Sequence, residues 1–504
     1  GSFVANGNRV RANNITIDNI TATDISTAGT GSSNNSPLNF SSIREVKVIT
    51  NAFSAEFGRN SGAQVQYITK SGGNQFHGEA YEYLQNDIFN ARDWFDRSGQ
   101  PSVTRVNDFG GVLGGPVVRN KTHFFGSASR YYSRGSGAAR VAQVPTAAML
   151  ARVTNPTSKK VLEMYALPAA TTVAEAFGTV QQNASNKVDL YQYSARLDHQ
   201  ISSRDSIYGR YGFSTNQSRS SNNTFIQTNL ANFGLGSNNS VYSVNVNETH
   251  IFSATVVNEF RAGFGRTSPI FFVDSTAPLG SRIAFSNAQV DRFGSYEGGP
   301  QGRVQNTFQY SDTLTWNRGA HAVKFGGDFF RYQLNSFFDS QSRGVYTFQN
   351  WDDFAAGRPN NFVQAFGSTG RGGRTWLQSL FAQDDYRITP RLTLNLGVRL
   401  ELYGPVKEVN RLSSNLDFNC RQSMGLAGTG PYGCLVTGRD SIGLNRYLQP
   451  RVGVAWNPGQ GKTVFRAGYG LVADFNFMNP VTNQRFLPPI VITQTITGMS
   501  NFTG

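Results

Sequence analysis

The feature that most constrains this chain is a pair of extended runs, Trp376–Arg387 and Leu392–Tyr403, joined by residues 388–391. In the second run apolar residues alternate with polar or small ones: Leu392, Leu394, Leu396, Val398, Leu400 and Leu402 against Thr393, Asn395, Gly397, Arg399 and Glu401. A period of two over about 11 residues gives a strand with one apolar and one polar face. Because a tilted strand needs roughly 9–11 residues to cross a bilayer, the two runs predict a transmembrane β-hairpin.

Comparable strand patterns recur along the chain, about 13 in all. They lie near Phe76–Asn86, Asn107–Val118, Lys121–Tyr132, Leu190–Ile201, Ser206–Ser214, Val241–Phe252, Thr255–Arg266, Val304–Trp316, Ala320–Tyr332, Trp376–Arg387, Leu392–Tyr403, Gln449–Trp456 and Thr463–Ala473. Short connections alternate with long ones, which span residues 87–106, 133–189, 215–240, 267–303, 333–375 and 404–448. Short turns on one side and long loops on the other are typical of outer-membrane barrels, whereas a soluble β-sandwich has no need of them. We therefore predict an all-β fold in which residues 76–504 form a transmembrane antiparallel β-barrel with long extracellular loops.

Composition and charge limit the classes of molecule that this chain is expected to bind. The sequence contains no run approaching 18 consecutive apolar residues, which excludes a transmembrane helix. The formal net charge is +14, but the basic residues are scattered and form neither a basic run nor a recognition helix, so we expect no nucleic-acid partner. Phosphate-bearing outer-membrane lipid, including lipopolysaccharide, suits dispersed cations better.

The first 75 residues differ in kind. They are rich in Asn and Gly around three strand candidates, Asn14–Ile20, Ile43–Thr50 and Gln64–Thr69. The alternation in these strands predicts a small mixed domain. Because the segment is too short and too polar to bury a good core alone, we expect it to pack against something larger.

Residues 51–59 (Asn-Ala-Phe-Ser-Ala-Glu-Phe-Gly-Arg), 61–63 (Ser-Gly-Ala) and 69–78 (Thr-Lys-Ser-Gly-Gly-Asn-Gln-Phe-His-Gly) carry a recognisable motif. The motif resembles the end of a TonB-dependent transporter plug as it enters its barrel, and more narrowly the Oar-like group. On this resemblance residues 1–75 are the C-terminal part of a plug domain, with Glu56, Arg59, Gly62 and Lys70 as its motif residues. An earlier motif ends at Asp18, which the family follows with Gly and this chain with Asn19; asparagine tolerates left-handed backbone, so we expect the turn to survive.

The resemblance implies a plugged barrel of about 22 strands. On that expectation the chain is an internal piece, with roughly 300 further residues after Gly504, and the region that binds the periplasmic TonB energy-coupling protein precedes Gly1. The chain itself should form an open curved sheet partly wrapped around residues 1–75. Its edges should lie near Phe76–Asn86 and Thr463–Ala473, and the residues that end the chain read as a loop.

Charged residues on the polar faces of the strands are the candidate site. Seven are expected to face the lumen: Arg210, Arg261, Lys324, Asp328, Arg399, Glu401 and Arg466. Two interpretations stay open, contact with a substrate or pairing with each other and with the plug, since buried charges need partners. Two acids, Asp312 and Glu248, fall out of phase with their strands, and a β-bulge that re-phases the strand would explain each of them.

No chemistry of catalysis is predicted. The five histidines, at positions 77, 123, 199, 250 and 321, do not reach metal-ligand spacing with each other or with a cysteine. Gly-rich runs such as 110–116 lack the strand–loop–helix setting of a phosphate loop. We therefore expect no catalytic residue, no metal and no cofactor, and a protein that is not an enzyme.

The resemblance implies a function in the bacterial outer membrane: energy-coupled uptake of a small solute through the plugged barrel. Loops rich in Ser, Asn, Gly and aromatic residues suit a carbohydrate, a peptide or a metal chelate alike. The alternative is a surface adhesion or interaction protein on the same scaffold, in which the long loops bind partners and little passes through.

Cys420 and Cys434, the two cysteines of the chain, are expected to form a disulfide. Both lie in one long loop on the extracellular side, where thiols oxidise. Peptide mapping by mass spectrometry without reductant should show the two cysteines linked. Alkylation of both thiols without prior reduction would contradict the bridge.

Overall fold

The computed structural model describes residues 4–5, 7–9, 12–26, 38–50, 54–91, 103–136, 140–173, 177–182, 185–221, 227–275, 278–417, 434–440, 442–459, 461–475 and 477–502. Most of these residues are in strands, numbered here in chain order: β1 (Asn14–Ile17), β2 (Ile20–Thr21), β3 (Ile43–Ile49), β4 (Gln64–Thr69), β5 (His77–Asn86), β6 (Thr104–Val118), β7 (Thr122–Ser136), β8 (Arg140–Val144), β9 (Thr172–Val173), β10 (Gly178–Gln182), β11 (Ser185–Gln200), β12 (Asp205–Ser220), β13 (Phe233–Ser253), β14 (Val256–Ser275), β15 (Arg282–Phe285), β16 (Gln301–Arg318), β17 (His321–Phe338), β18 (Val345–Phe348), β19 (Asn361–Gly367), β20 (Arg371–Thr389), β21 (Leu392–Tyr403), β22 (Lys407–Glu408), β23 (Ser414–Asp417), β24 (Cys434–Thr437), β25 (Asn445–Trp456), β26 (Phe465–Gly470) and β27 (Val491–Thr497). The α-helices are α1 (Ala147–Ala151), α2 (Pro156–Tyr165), α3 (Trp351–Ala356) and α4 (Asn479–Asn483). Among the described residues no helix has the length and apolar character needed to cross a membrane.

One large antiparallel sheet dominates the fold. It contains 14 strands in the order β26-β25-β21-β20-β17-β16-β14-β13-β12-β11-β7-β6-β5, with β22 paired to β20 beside this path. The main path therefore has the predicted 13 strands. Its edges are β5 and β26, the two strands predicted for that place, so in the described part of the chain the sheet is open between them. The hairpin predicted from residues 376–403 is β20–β21, in which Val398 pairs with Ala382.

The strands extend well past their predicted ends on the long-loop side. The strand β13, for example, begins at Phe233 and not near Val241. Residues 233–240 read Phe-Gly-Leu-Gly-Ser-Asn-Asn-Ser. They pair with β14 throughout, but lack the alternation that reveals a strand, because alternation is required only where one face meets lipid.

The two faces of the sheet are sorted as the alternation predicts. One face, called inner below, contacts the N-terminal residues, and the other, called outer, carries the apolar band. The acids Asp312 and Glu248 lie on the outer face, where the ladders continue unbroken opposite Gly327 and Ile207. The predicted bulges at these two acids are therefore wrong. The Asp312 carboxylate instead accepts a hydrogen bond from Asn258 at 2.7 Å.

The N-terminal residues form a mixed sheet of four strands in the order β2-β1-β4-β3, in which β1 and β4 are parallel. Asp18 and Asn19 join β1 to β2 with φ angles of 47° and 65°. Two positive φ angles between paired strands are the geometry of a type I′ turn, which Asn and Gly favour. The expected tolerance of left-handed backbone at Asn19 is confirmed.

Asn19→Val should destabilise this turn by about 1–2 kcal/mol, because a β-branched side chain disfavours left-handed backbone. The control is Asn19→Gly, which accepts the same φ and should leave stability unchanged. Urea unfolding of the full-length protein in detergent micelles would compare the two. Equal midpoints for Val and Gly would contradict the turn assignment.

The long loops pack together into a folded unit, called here the cap. It consists of α1, α2, α3, the sheet β8-β10-β9 and the sheet β15-β18-β19-β27. Seventeen residues, including Trp351, Phe354 and Tyr165, form its hydrophobic core. The indole Nε1 of Trp351 donates to the carbonyl of Met149 at 2.9 Å, and the Tyr165 hydroxyl to the carbonyl of Ser281 at 2.7 Å. Burial raises the pKa of Tyr165 to about 12.

The chain after β26 also departs from the expected loop. Residues 471–475 and 477–487, called here the return segment, lie against the N-terminal residues, and β27 then joins the cap through β19. Met478, which is 1% exposed, donates its backbone N–H to the carbonyl of Ile25 at 2.8 Å. The N–H of Phe475 likewise donates to the carbonyl of Arg59 at 2.8 Å. The two residues in each of these backbone hydrogen bonds lie more than 400 positions apart in sequence, a separation at which local patterns carry no information.

Candidate functional site at the inner face of the sheet

Arg399 on β21 is the centre of the contact between the large sheet and the N-terminal residues. Its side chain is 2% exposed. The guanidinium donates to the carbonyls of Ala55 and Glu56 at 3.3 and 3.0 Å, and it pairs with Glu401 at 2.8 Å and Asp328 at 2.9 Å. Since all three guanidinium nitrogens have acceptors, the buried charge is fully compensated.

Both carboxylates beside Arg399 have further donors. Glu401, whose side chain is fully buried, also accepts hydrogen bonds from Tyr403 at 2.6 Å and Gln449 at 2.8 Å. Asp328 accepts hydrogen bonds from serine hydroxyls on the neighbouring strands β16 and β20, Ser311 and Ser379, at 2.8 and 3.0 Å. These bonds tie together five adjacent strands of the sheet around one segment of the N-terminal residues.

The N-terminal side of this contact is the turn at residues 54–59. A side chain is sterically excluded at Gly58 of this turn, because a Cβ there would lie 2.0 Å from the Glu401 carboxylate and 2.1 Å from Arg399 Nε. Lys324 pairs with Glu56 at 3.3 Å, and Arg451 donates to the carbonyl of Ser54. The turn is therefore held by cations from three strands.

Arg59 links this turn to the rest of the N-terminal sheet. It is 5% exposed and has a φ of 72°. The guanidinium donates to the Tyr332 hydroxyl of β17 and to Thr21, both at 2.7 Å, and lies over the Phe330 ring, 4.9 Å from its centroid. A side chain is also sterically excluded at Gly62, because a Cβ there would lie 2.6 Å from the carbonyl oxygen of Ala12.

Two further acids of the N-terminal residues are paired with arginines of the inner face. Asp18 lies 3.0 Å from Arg210 and 3.7 Å from Arg196, and its side chain is 2% exposed. Asp24, fully buried, pairs with Arg303 at 2.7 Å. The contact thus extends from β11 and β12 to β25, and at Asp18 and Asp24 the acids of the N-terminal residues meet arginines of the wall.

The seven residues predicted to face the lumen all lie on the inner face. Arg210 and Lys324 pair with the N-terminal residues, and Asp328, Arg399 and Glu401 form the buried network. Arg261 donates to the carboxylate of Glu259 on its own strand. Arg466 shares a face with Ala455 of β25 but is exposed on the edge strand. Of the motif residues, Lys70 contributes its backbone N–H, which donates to the carbonyl of Ser42 at 2.9 Å.

Sequence reasoning missed three inner-face arginines, Arg196, Arg303 and Arg451. Arg196 and Arg451 lie inside predicted strands with inward parity, so strand phase alone would have identified them, whereas Arg303 precedes the predicted strand Val304–Trp316. The acids Asp18 and Asp24 were not identifiable as their partners, because the pairing joins segments about 180 to 280 residues apart.

Little free space separates the N-terminal residues from the inner face at this network. The described residues enclose a cavity of about 70 Å³ whose lining is polar and includes Asn14, Gln64, Arg261, Gln309, Thr313 and Asp328. Since each water molecule needs roughly 10–15 Å³ in which to place its centre, the cavity has room for a few waters. A solute that crosses at this point must displace the N-terminal residues.

A cluster on the outer face was also missed. The ligand atoms of Asp205, Glu248 and His250 all lie within 4.8 Å of one another, next to the short turn between β11 and β12. Histidine spacing in the sequence could not reveal it, because the cross-strand register brings Asp205 opposite His250. The His250 Nδ1 is hydrogen-bonded to Asp205, and this pairing accounts for the geometry without an ion.

The predicted disulfide joins Cys420 to Cys434. Cys420 lies outside the described residues, so the bridge stays a prediction.

Comparisons with known proteins agree with this architecture. A family model described as "Outer membrane beta barrel domain" matches residues 68–504. The chain is similar to the TonB-dependent transporter Oar of Myxococcus xanthus, with 31% identity over 107 residues, which is 20% of this chain and 10% of that protein.

Solved structures share the fold. The outer membrane transporter YddB from Escherichia coli superposes with a TM-score of 0.59 at 14% identity, covering 98% of this chain and 57% of that chain. The ferric-catecholate import receptor Fiu from E. coli K12 gives 0.52 at 11% identity, with 92% and 63% covered. The pyoverdine receptor FpvA from Pseudomonas aeruginosa PAO1 gives 0.50 at 15% identity, with 88% and 53% covered. The chain thus spans about three fifths or less of these structures, and a tenth of the curated relative.

Proposed function

This chain belongs to the outer membrane β-barrel domain family and lies in the bacterial outer membrane, and on that premise we propose that it is the plug-bearing part of a TonB-dependent transporter. In this proposal residues 1–75 are the C-terminal part of the plug, and the large sheet from β5 to β26 is the barrel wall around it. The proposed activity is energy-coupled uptake of a small solute from outside the cell.

The observation that carries this proposal is the nature of the contact between plug and wall. The contact is held by ion pairs and hydrogen bonds centred on Arg399, beside which lies a small polar cavity of about 70 Å³. A second space of about 290 Å³ lies between the two parts near β1 and β2, lined in part by Ile17, Ile20 and Phe264. Polar contacts can be exchanged for water when the plug shifts, whereas a large apolar contact would resist exposure. The arrangement suits a plug that seals at rest and moves when pulled.

The pull would come from the periplasmic TonB energy-coupling protein, the partner of the transporters that this chain resembles. The solute is proposed as a carbohydrate, a peptide or a metal chelate. One structural neighbour is a ferric-catecholate import receptor, which supports including metal chelates among the proposed solutes. The cap is built largely from the long loops, and we propose that it captures the solute before the plug moves.

The test compares cells with and without the gene for accumulation of labelled ferric chelates, oligopeptides and oligosaccharides. We expect one class to be accumulated only when the gene is present, and its accumulation to stop when a protonophore removes the driving force. Accumulation that is unchanged by deletion for all three classes would contradict the transport proposal.

The cap supports a second candidate, surface adhesion. A core of seventeen buried residues makes the cap a rigid folded unit, which could present a binding surface without any transport. Attachment of the same deletion strain to surfaces and to other cells distinguishes the two. Lost attachment with unaltered uptake favours adhesion, and lost uptake with unaltered attachment favours transport.

A further inference from the structure

The space of about 290 Å³ between the N-terminal sheet and the large sheet, called here the plug–wall cavity, owes its size to small residues on the inner face of the wall. Ser243 of β13, Gly265 of β14 and Thr307 of β16 all line it, and they are direct partners in successive ladders. A Cβ built on Gly265 would meet no atom of the described residues within 4 Å, its chain neighbours apart. This row of small residues therefore leaves the cavity open on the wall side.

The lining on the plug side is mainly apolar. Three buried isoleucines of the β1–β2 hairpin, Ile15, Ile17 and Ile20, contribute to it together with Leu38. Two residues along β14 the wall closes on this hairpin, because a Cβ on Gly263 would lie 2.6 Å from Ile20. Since an apolar cavity of roughly 150 Å³ holds one benzene molecule, the plug–wall cavity has room for about two aromatic rings.

Arg210 of β12 places a buried cation in this lining. Its side chain is 2% exposed, its Nε lies 3.0 Å from the Asp18 carboxylate, and its Nη2 donates to the Ser243 hydroxyl at 3.4 Å. The Nη1 is also buried, but within the described part of the chain it has no hydrogen-bond partner. Because buried donors in folded proteins are almost always satisfied, this nitrogen calls for an acceptor in the cavity.

The charges around Arg210 indicate what kind of acceptor is missing. Arg210 is paired with Asp18, and the neighbouring Arg196 is paired with Asp198 at 2.7 Å. Two arginines and two acids already balance, so the missing group has to supply an acceptor and not a net charge. A carbonyl oxygen meets this requirement, whereas a carboxylate would bring in a buried charge without a cation of its own.

We propose that the plug–wall cavity binds an uncharged aromatic part of the solute, about two rings in size, whose carbonyl oxygen accepts a hydrogen bond from Arg210 Nη1. This inference rests on the proposed function, since the cavity lies between plug and wall, and it narrows the class of solute. A carbohydrate is disfavoured, because its hydroxyl groups would be left unpaired against the isoleucines. The shared chemistry, an aromatic ring close to a carbonyl, occurs both in aromatic peptides and in aryl amides.

The test uses photolabelling of the full-length protein in lipid nanodiscs. The probe is benzophenone, which consists of two aromatic rings joined by one carbonyl and forms covalent bonds under ultraviolet light. Peptide mapping of the wild type should find label on residues 15–23 of the plug. Absence of label there would mean that the cavity holds water only, and it would overturn the proposal without any variant having to fold.

Competition measures the contribution of the carbonyl. Benzanilide, with two rings and a carbonyl, should displace the probe from residues 15–23 at a concentration roughly 10-fold or more below that of diphenylmethane, which has the rings alone, because a hydrogen bond from a charged donor is lost. Equal potency of the two would refute the role of Arg210. Displacement by N-acetylphenylalanine amide as well would assign the site to peptides, and displacement by benzanilide alone would assign it to aryl amides.

The variant Gly265→Leu fills the cavity from the wall side and should abolish the label on residues 15–23, while label on the lipid-facing strands stays unchanged. The matched control is Gly443→Leu, at an exposed position where a Cβ also meets open space, and it should be labelled as the wild type is. Undiminished label on residues 15–23 in Gly265→Leu would contradict the proposal. Photolabelling needs neither an energy source nor the transported solute, so its failure is distinct from a failure of the uptake test.

Discussion

Arg399→Met is expected to destabilise the docked state of the plug by roughly 3–5 kcal/mol, the usual cost of removing one partner from a buried ion pair. The substitution leaves the fully buried Glu401 and the Asp328 carboxylate without their cation, and it removes the hydrogen bonds to Ala55 and Glu56. Limited proteolysis of the full-length protein should then cleave the turn at residues 54–59, which the wild type protects.

The control is Arg446→Met, an equally long side chain at an exposed outer position of β25, which should leave protection unchanged. Neutralising the stranded acids as well, in Arg399→Met/Glu401→Gln/Asp328→Asn, should recover part of the loss, because the cost comes from uncompensated charge. If Arg399→Met and Arg446→Met are cleaved at the same rate, the network does not hold the plug.

Val398→Arg should destabilise the barrel by roughly 2–4 kcal/mol, the cost of an arginine on the lipid face near the bilayer midplane. Val398 lies in the middle of the apolar run of β21, 40% exposed, between Ala382 and Pro450. Leu396→Arg, the substitution that alternation alone suggests, is less informative because Leu396 pairs with Asp384, which would offset the new charge.

The control for the lipid face is Asn395→Arg on the inner face of the same strand, where Asn395 donates to Asp385 at 2.7 Å. This arginine should cost clearly less than the one at Val398. Refolding of the full-length protein into lipid vesicles, followed by urea titration, would measure both. Equal destabilisation would contradict the assignment of the two faces.

The barrel wall was predictable because lipid imposes a rule on every strand that crosses it. Each strand must place apolar residues on alternate positions. The alternation in Leu392–Tyr403 therefore predicts both that the segment is a strand and which of its residues face the lipid. Pairing of consecutive strands through short turns then fixes their order, and β5 and β26 emerge as the edges without any knowledge of long-range contacts.

The cap and the return segment do not contact lipid in this way, so no alternation of apolar residues reveals their structure. Trp351 and Phe354 of α3 share one core with Tyr165 of α2, but α2 and α3 belong to different loops, and their packing depends on which loops meet. An unusual density of aromatic residues between 270 and 366 was the available signal. The same limit explains why Arg399 could be assigned to the lumen while its partners Ala55 and Glu56 could not.

The movement of the plug can be tested by tethering it. A Cβ at Gly397 would lie 2.9 Å from the Cβ of Ala55, closer than the roughly 3.5–4.5 Å that a disulfide requires. The turn at residues 54–59 must therefore move away from the wall by about 1 Å for Ala55→Cys/Gly397→Cys to cross-link plug to wall. With Cys420→Ser and Cys434→Ser as background, accumulation of the solute class identified in the deletion strain should cease on oxidation. It should return on reduction with dithiothreitol. Accumulation at the wild-type rate by fully cross-linked protein would contradict the central claim that the plug seals this barrel and must move for uptake.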